Sequence, residues 1–240
     1  DLSSLRYLTQ AGGAMAPAVA QRLHEAIPQA RLFIMYGQTE ATARLAWLPP
    51  ERFAEKQGSV GIPIPGVELE VRTEAGTVAA ALEVGEVFAR GPNVMLGYWR
   101  NPEASVGVLK DGWLKTGDMG HIDADGYLFL SGRRSDMIKT GAHRVHPKDV
   151  EEVLAELPEV GEVAVLGVDD DTLGQVIKAV IVCAPSAALN ELKVKAHCRE
   201  RLAAYKIPKI ITFVDSLPKT ASGKVRRTEL SKPTVSQEAP

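Results

Sequence analysis

The apolar positions of the first forty residues fall into two short runs on either side of an amphipathic stretch. Residues 5–8 read as a short buried strand running into Gly12-Gly13, and Pro17 opens a helix to about Ala26, because proline fits a first helical turn. Residues 31–36 form a second apolar strand, ended by Gly37. Strand, glycine turn, helix and strand make a βαβ pattern of a parallel sheet, where ligands gather at the carboxyl ends of strands. Near Gly58 the rhythm changes. Residues 67–71 alternate with period two, 86–90 form another short strand, and further strands follow around Ile122 and over 127–130. Glycine and aspartate turns separate them, so an antiparallel meander or small barrel is expected.

A second unit starts near Gly132. Residues 137–139 and 144–146 predict a hairpin, followed by a helix from Lys148 whose Val150, Val153, Leu154 and Leu157 share one face. Strands are expected at 163–166 and 177–182, then a helix over 190–203 with Leu192, Ala196 and Leu202 turned inward, then a strand at 210–214. Residues 231–240 are polar, hold two prolines and lack periodicity, which reads as a loose tail.

Of the 240 residues 45% are hydrophobic and 24% charged, which suits a packed protein and excludes a disordered or collagen-like chain. With 28 basic and 30 acidic residues the net charge is -2, so no global field favours DNA or membrane. Cys183 and Cys198 cannot make a disulfide framework; they read as buried thiols in a reducing, cytoplasmic setting. No apolar run reaches the ~18 residues of a membrane span, and no signal peptide opens the chain. It begins with Asp1 in a strand-like segment, which reads as a cut.

Several polar features have plain structural readings. Asp123-Ala124-Asp125-Gly126 resembles the opening of a calcium loop, but Arg134 stands where the twelfth position needs glutamate, so a hairpin turn is expected. His143 and His146, three apart on a strand, point to opposite faces and have no third ligand nearby in sequence. His24 and His197 lie in helical patterns and are expected at the surface. Trp99 and Trp113 read as core or rim residues.

Four segments carry more specific chemistry: Tyr36-Gly37-Gln38-Thr39-Glu40 after a buried strand, Trp113-Leu114-Lys115-Thr116-Gly117-Asp118, the run from Gly132 to Lys139, and the run from Pro218 to Arg227. In this order, and with Gly85 to Gly91 and Gly97-Tyr98-Trp99 between them, they resemble the adenylate-forming (AMP-binding) superfamily. The pattern is most similar to acyl-CoA and aryl-CoA synthetases and covers essentially the whole chain.

The resemblance implies α/β and α+β architecture. Residues 1–132 would end a large amino-terminal domain as a parallel-sheet remnant plus a small antiparallel β-barrel. Residues 133–230 would be a small mobile carboxyl-terminal domain, and 231–240 a tail. It also implies ATP, Mg²⁺ and coenzyme A as cofactors and co-substrates, with a small-molecule carboxylate as substrate, fatty acids included, and neither nucleic acid nor a membrane span. Glu40 would help hold Mg²⁺, and Thr39 would contact phosphate. The backbone around Gly12-Gly13 and Tyr36 would wall the adenine, where missing side chains permit close approach, and Gly37 would also bind the nucleotide. Asp118 would accept from the ribose hydroxyls, Arg133 would contact ribose or phosphate, and Lys224 would bridge the attacking carboxylate and the α-phosphate. Such a site must neutralise charge and align oxygens. Arg133, Ser135 and Asp136 would form a hinge, and its swing would bring Lys139, Gly141 and Ala142 to the thioester half-reaction.

Three departures stand out. Ser135 occupies the hinge position that is commonly Asp or Lys, and Ala142 the position of a glycine that lines the pantetheine tunnel. The Ser/Thr/Gly-rich phosphate loop of the family has no match here. The chain is therefore expected to be a carboxyl-terminal portion, either a fragment or half of a split enzyme that works with the missing portion in trans. Alternatives are an inactive remnant and an acyl-AMP ligase that loads a carrier protein. A nucleic-acid patch at Lys219, Lys224, Arg226 and Arg227 is disfavoured by the slightly acidic balance and the lack of interleaved aromatics. Neither the acid nor the oligomeric state follows from the sequence.

Overall fold

The computed structural model describes residues 1–221 and 223–231; Ser222 and most of the expected tail, 232–240, lie outside them. The chain divides into two compact units, Asp1–Ser135 and Asp136 onward. The first opens with β1 (Tyr7–Gln10), two residues later than its apolar run suggests, then α1 (Pro17–Ala26) and β2 (Arg31–Tyr36). β1 and β2 pair in parallel, with Tyr7 opposite Arg31. Leu32 and Ile34 alternate inward from β2 and bury Ala20 of α1 together with Leu48 and Phe53.

β3 (Ala46–Leu48) continues the sheet antiparallel to β2, and β4 (Ser59–Pro63) pairs antiparallel with β3. They are followed by β5 (Glu68–Arg72), β6 (Gly85–Arg90), α2 (Pro102–Val108), β7 (Leu109–Lys110), β8 (Trp113–Ile122) and β9 (Leu128–Arg133). The strand order is β1-β2-β3-β4-β9-β8-β6-β5, with β7 on β8. The expected small barrel is therefore not closed. β4 joins the meander to the strands beside the parallel pair, so one open sheet runs from β1 to β5, bent where register shifts interrupt β4, β6 and β8. β3 and α2 are too short for periodicity to reveal them; α2 starts at Pro102 and is capped by Asn101, whose side chain accepts from Ala104 N at 3.1 Å. Residues 123–126 form the expected turn, where Asp123 accepts from the amides of Asp125 and Tyr127.

The second unit holds β10 (Ile138–Thr140), β11 (His143–Val145), α3 (Pro147–Leu154), β12 (Val160–Asp170), β13 (Gly174–Cys183), α4 (Glu191–Arg201), β14 (Ile210–Phe213) and α5 (Arg227–Leu230). Its sheet runs β11-β10-β13-β12, with β14 parallel to β13. Val165, Ile177, Ala179 and Ile181 meet Val150 and Leu154 of α3 and Val194 and Cys198 of α4. Ala164, Leu166 and Val180 point the other way, against Leu217, Val225 and Leu230 of the terminal segment.

The inner stripe of α4 differs from expectation at Leu192 and Ala196, whereas Leu202, just beyond the helix, is half-buried and packs against the core as expected. Val194 and Cys198, four apart, are fully buried, while Leu192 is 79% exposed and Ala196 is also exposed. Two residues turn a helix by about 200°, so Leu192 and Ala196 must face away from that pair. Cys183 is half-buried rather than buried. His24 and His197 are half-buried rather than at the surface: the first rests on Phe53, and the second lies 3.0 Å from the Val153 carbonyl. Among the described residues no helix is long and apolar enough to cross a membrane.

Candidate functional site

In the first unit two turns stand at the carboxyl ends of the parallel strands. Gly12-Gly13 follows β1, where the Gln10 side-chain amide donates to the Gly13 carbonyl. Gly37 follows β2. A Cβ there would lie 2.5 Å from the Ala43 carbonyl oxygen, so the returning loop needs a residue without one. Thr39 and Glu40 sit in the short helical turn so formed, Thr39 exposed and Glu40 half-buried. Three outside residues hold this turn. Asn93 Nδ2 donates to the carbonyls of Ala41 and Arg44 at 3.0 and 2.6 Å, Met95 N donates to the Glu40 carbonyl at 2.8 Å, and the Tyr98 hydroxyl donates to Glu40 Oε1 at 2.7 Å. That last bond, more than burial, raises the Tyr98 phenol above its ordinary range.

Asp118 on β8 stands opposite Arg133 on β9. The Tyr36 hydroxyl donates to Asp118 Oδ2 at 2.7 Å, and Arg133 Nε lies 2.8 Å from Oδ1, so each carboxylate oxygen has a side-chain partner. Arg133 also donates to the Thr116 carbonyl at 3.1 Å; the Thr116 hydroxyl donates to the Val87 carbonyl at 2.8 Å and accepts from Asp118 N at 3.1 Å. Asp118 and Tyr36 are both buried, and a carboxylate so placed is tolerable only when paired. Burial, and then the Asp118 charge, holds the Tyr36 phenol well above its usual value, so it remains a donor.

In the second unit Lys139 is exposed on β10, and its amide donates to Gln175 Oε1 at 3.0 Å. Gly141 and Ala142 form the tip between β10 and β11; Gly141 has φ of +57° and donates to the Leu173 carbonyl at 2.8 Å. The tip lines a cleft of about 330 Å³ with Leu173, Tyr205 and Lys209, where the His143 ring stacks on Tyr205 at 3.9 Å. Lys224 is exposed in a loop closed by Thr220, whose amide donates to the Lys224 carbonyl at 2.8 Å and whose hydroxyl accepts from Lys224 N at 3.1 Å. Arg227 ties the following helix down, donating to the Val165 carbonyl at 3.2 Å and to Glu151 at 2.7 Å, with Asp136 3.4 Å away. Buried Lys178 donates to the Leu230 carbonyl at 3.1 Å.

Tyr36, Asp118 and Arg133 thus converge, with Thr39 and Glu40 in the turn that follows Tyr36 and Gly13 in the turn after the neighbouring strand. Lys139, Gly141 and Ala142 share one hairpin, and Lys224 belongs to a separate loop. Ser135 and Asp136 lie in the helical turn Arg134–Asp136. Thr116, Asn93 and Tyr98 support the site although the sequence reading gave them no role. Thr116 had a signal, two residues before Asp118 on one strand face; Asn93 had none. Among the described residues no group of three or more His, Cys, Asp or Glu is arranged to hold a metal ion.

Residues 1–99 match the model of the AMP-binding enzyme family, and residues 149–224 that of the AMP-binding enzyme C-terminal domain. The indoleacetate–CoA ligase of Aromatoleum aromaticum is 39% identical over 231 residues, which is 96% of this chain and 45% of the ligase. The 2-succinylbenzoate–CoA ligase of Geobacillus kaustophilus is 42% identical over 92% of this chain and 44% of its own length. Among solved structures, an anthranilate CoA ligase in complex with anthranoyl-AMP aligns with a TM-score of 0.89 at 37% identity, covering 96% of this chain and 45% of that one. The chain spans under half the length of the relatives it matches.

Proposed function

Since this chain belongs to the AMP-binding enzyme family, we propose that it supplies the nucleotide cradle and the mobile lysine-bearing unit of an ATP-dependent acid–thiol ligase. The enzyme would join a carboxylate to AMP, releasing pyrophosphate, and then pass the acyl group to the thiol of coenzyme A, releasing AMP. The Tyr36–Asp118–Arg133 constellation carries the reading: a buried carboxylate with a fixed plane, set to accept from ribose hydroxyls. Arg133 adds a cation for ribose or phosphate, Thr39 contacts phosphate, and the backbone at Gly13, Tyr36 and Gly37 receives the base.

Glu40 suits Mg²⁺ as a single carboxylate, because that ion commonly takes one or two carboxylates and completes its shell with water and substrate phosphate. When bound, the ion neutralises phosphate charge. Exposed Lys224, on a loop braced by Thr220, meets the attacking carboxylate and the α-phosphate. In the second step Lys139 and the Gly141-Ala142 tip replace it, and the hinge is the turn that holds Ser135 and Asp136. The acid belongs to the aromatic, fatty and small dicarboxylic classes named for the relatives.

The test is half-reaction kinetics in the complete enzyme, with indoleacetate, 2-succinylbenzoate, oxalate and a long-chain fatty acid as the panel. Lys224→Ala should slow pyrophosphate exchange roughly 10²–10³-fold, the scale of losing one transition-state donor. Thioester formation from a supplied acyl-adenylate should be largely spared. Equal loss in both halves would reject the role, and wild-type exchange with no acid of the panel would reject the ligase reading.

A further inference from the structure

The turn that joins the two units carries an ion pair on each side, and the two are built differently. On one side Asp136 is 3.4 Å from Arg227, which is itself fixed by Glu151 and the Val165 carbonyl. On the other, Arg134 Nη1 lies 2.7 Å from Glu86 Oε2, and Lys115 Nζ stands 3.7 Å from the same oxygen. The Glu86 side chain is 7% exposed, against 54% for Arg134 and 43% for Lys115. Its second oxygen, Oε1, is buried and accepts no hydrogen bond among the described residues. A buried carboxylate stripped of its cation is strongly unfavourable, so Arg134 cannot leave Glu86 readily unless a substitute is in reach. Lys115 is that substitute: a compact charge on a flexible stem, a short reach from contact.

We propose that Glu86 is a positioning residue whose cation is exchanged during turnover, Arg134 in one arrangement of the hinge and Lys115 in the other. The inference rests on the two-step reading above, in which the hinge must move between half-reactions. Arg134 precedes Ser135 and travels with the turn, whereas Lys115 is fixed to β8 beside Thr116. Glu86 therefore keeps one cation in both arrangements, and the reorientation never exposes a bare buried charge. Asp136 has its counterpart in Arg227 of its own unit and moves with that unit.

The experiment compares wild-type enzyme with Lys115→Met, Lys115→Arg, Glu86→Gln and the Glu86→Gln/Lys115→Met double variant. Pyrophosphate exchange reports adenylation, which needs no hinge movement, and multiple-turnover thioester synthesis reports the whole cycle. Lys115→Met should leave exchange unchanged and slow turnover about fivefold or more, the rate equivalent of one lost ion pair. Lys115→Arg should turn over like wild type. The double variant should recover the lost turnover, because the amide has no charge to keep paired. Equal loss of exchange and turnover in Lys115→Met, failure of Lys115→Arg, or a double variant as slow as Lys115→Met would overturn the exchange of partners. Wild-type enzyme without exchange would overturn the ligase reading instead.

Discussion

Asp118 concentrates several constraints on one side chain. It sits at the middle of a long strand, buried, with one oxygen toward Tyr36 and the other toward Arg133. Tyr36→Phe would leave Oδ2 without that donor while keeping the ring in place. The expected cost is about 1–3 kcal/mol of folding stability, read by urea denaturation. Asp118→Ala should chiefly weaken nucleotide binding; an unchanged affinity for ATP by calorimetry would count against its assigned role. Both residues were legible in the sequence, Tyr36 opening one recognisable motif and Asp118 closing another. Their contact was not, because it joins positions 82 apart and depends on a sheet order that no local pattern encodes. Asn93 was illegible for a related reason: its amide serves carbonyls 52 and 49 residues away.

Among the elements, the loop from Gly37 to Ala43 decides where Thr39 and Glu40 stand. Gly37→Ala would drive a methyl into the Ala43 carbonyl, so the turn should shift and carry Glu40 away from Tyr98. The expected result is loss of pyrophosphate exchange with little change in far-UV circular dichroism; wild-type exchange would mean that the turn is not needed. Strong patterns predicted their elements well. α1, opened by Pro17, and β2, ended by Gly37, fall where the periodicity puts them. α4 shows the limit. A helix with alanine, leucine, valine and cysteine on several sides offers more than one plausible inner stripe, and the choice of Val194 and Cys198 comes from packing against α3. The open sheet was hidden likewise, because antiparallel strands read alike whether the last one returns to the first or not.

For the whole molecule, separate cores in the two units predict separate responses to alkali. Burial pushes the Cys198 thiol from 9.0 up to about 11. Between those values the unfolded chain has lost the proton that the folded unit keeps, so stability, undiminished below pH 9, falls as pH rises. The loss should reach about 2 kcal/mol by pH 11, and Cys198→Ala should flatten the slope in urea titrations of the second unit by that amount. Tyr36 imposes the same sign on the first unit, but only above its ordinary value of 10.0.

The bond from Lys178 to the Leu230 carbonyl has one more consequence. An amine stitched beneath α5 is shielded from acylating dyes until that helix peels away. Its labelling rate is thus a clock for fraying of α5, ticking slowest when that helix is seated.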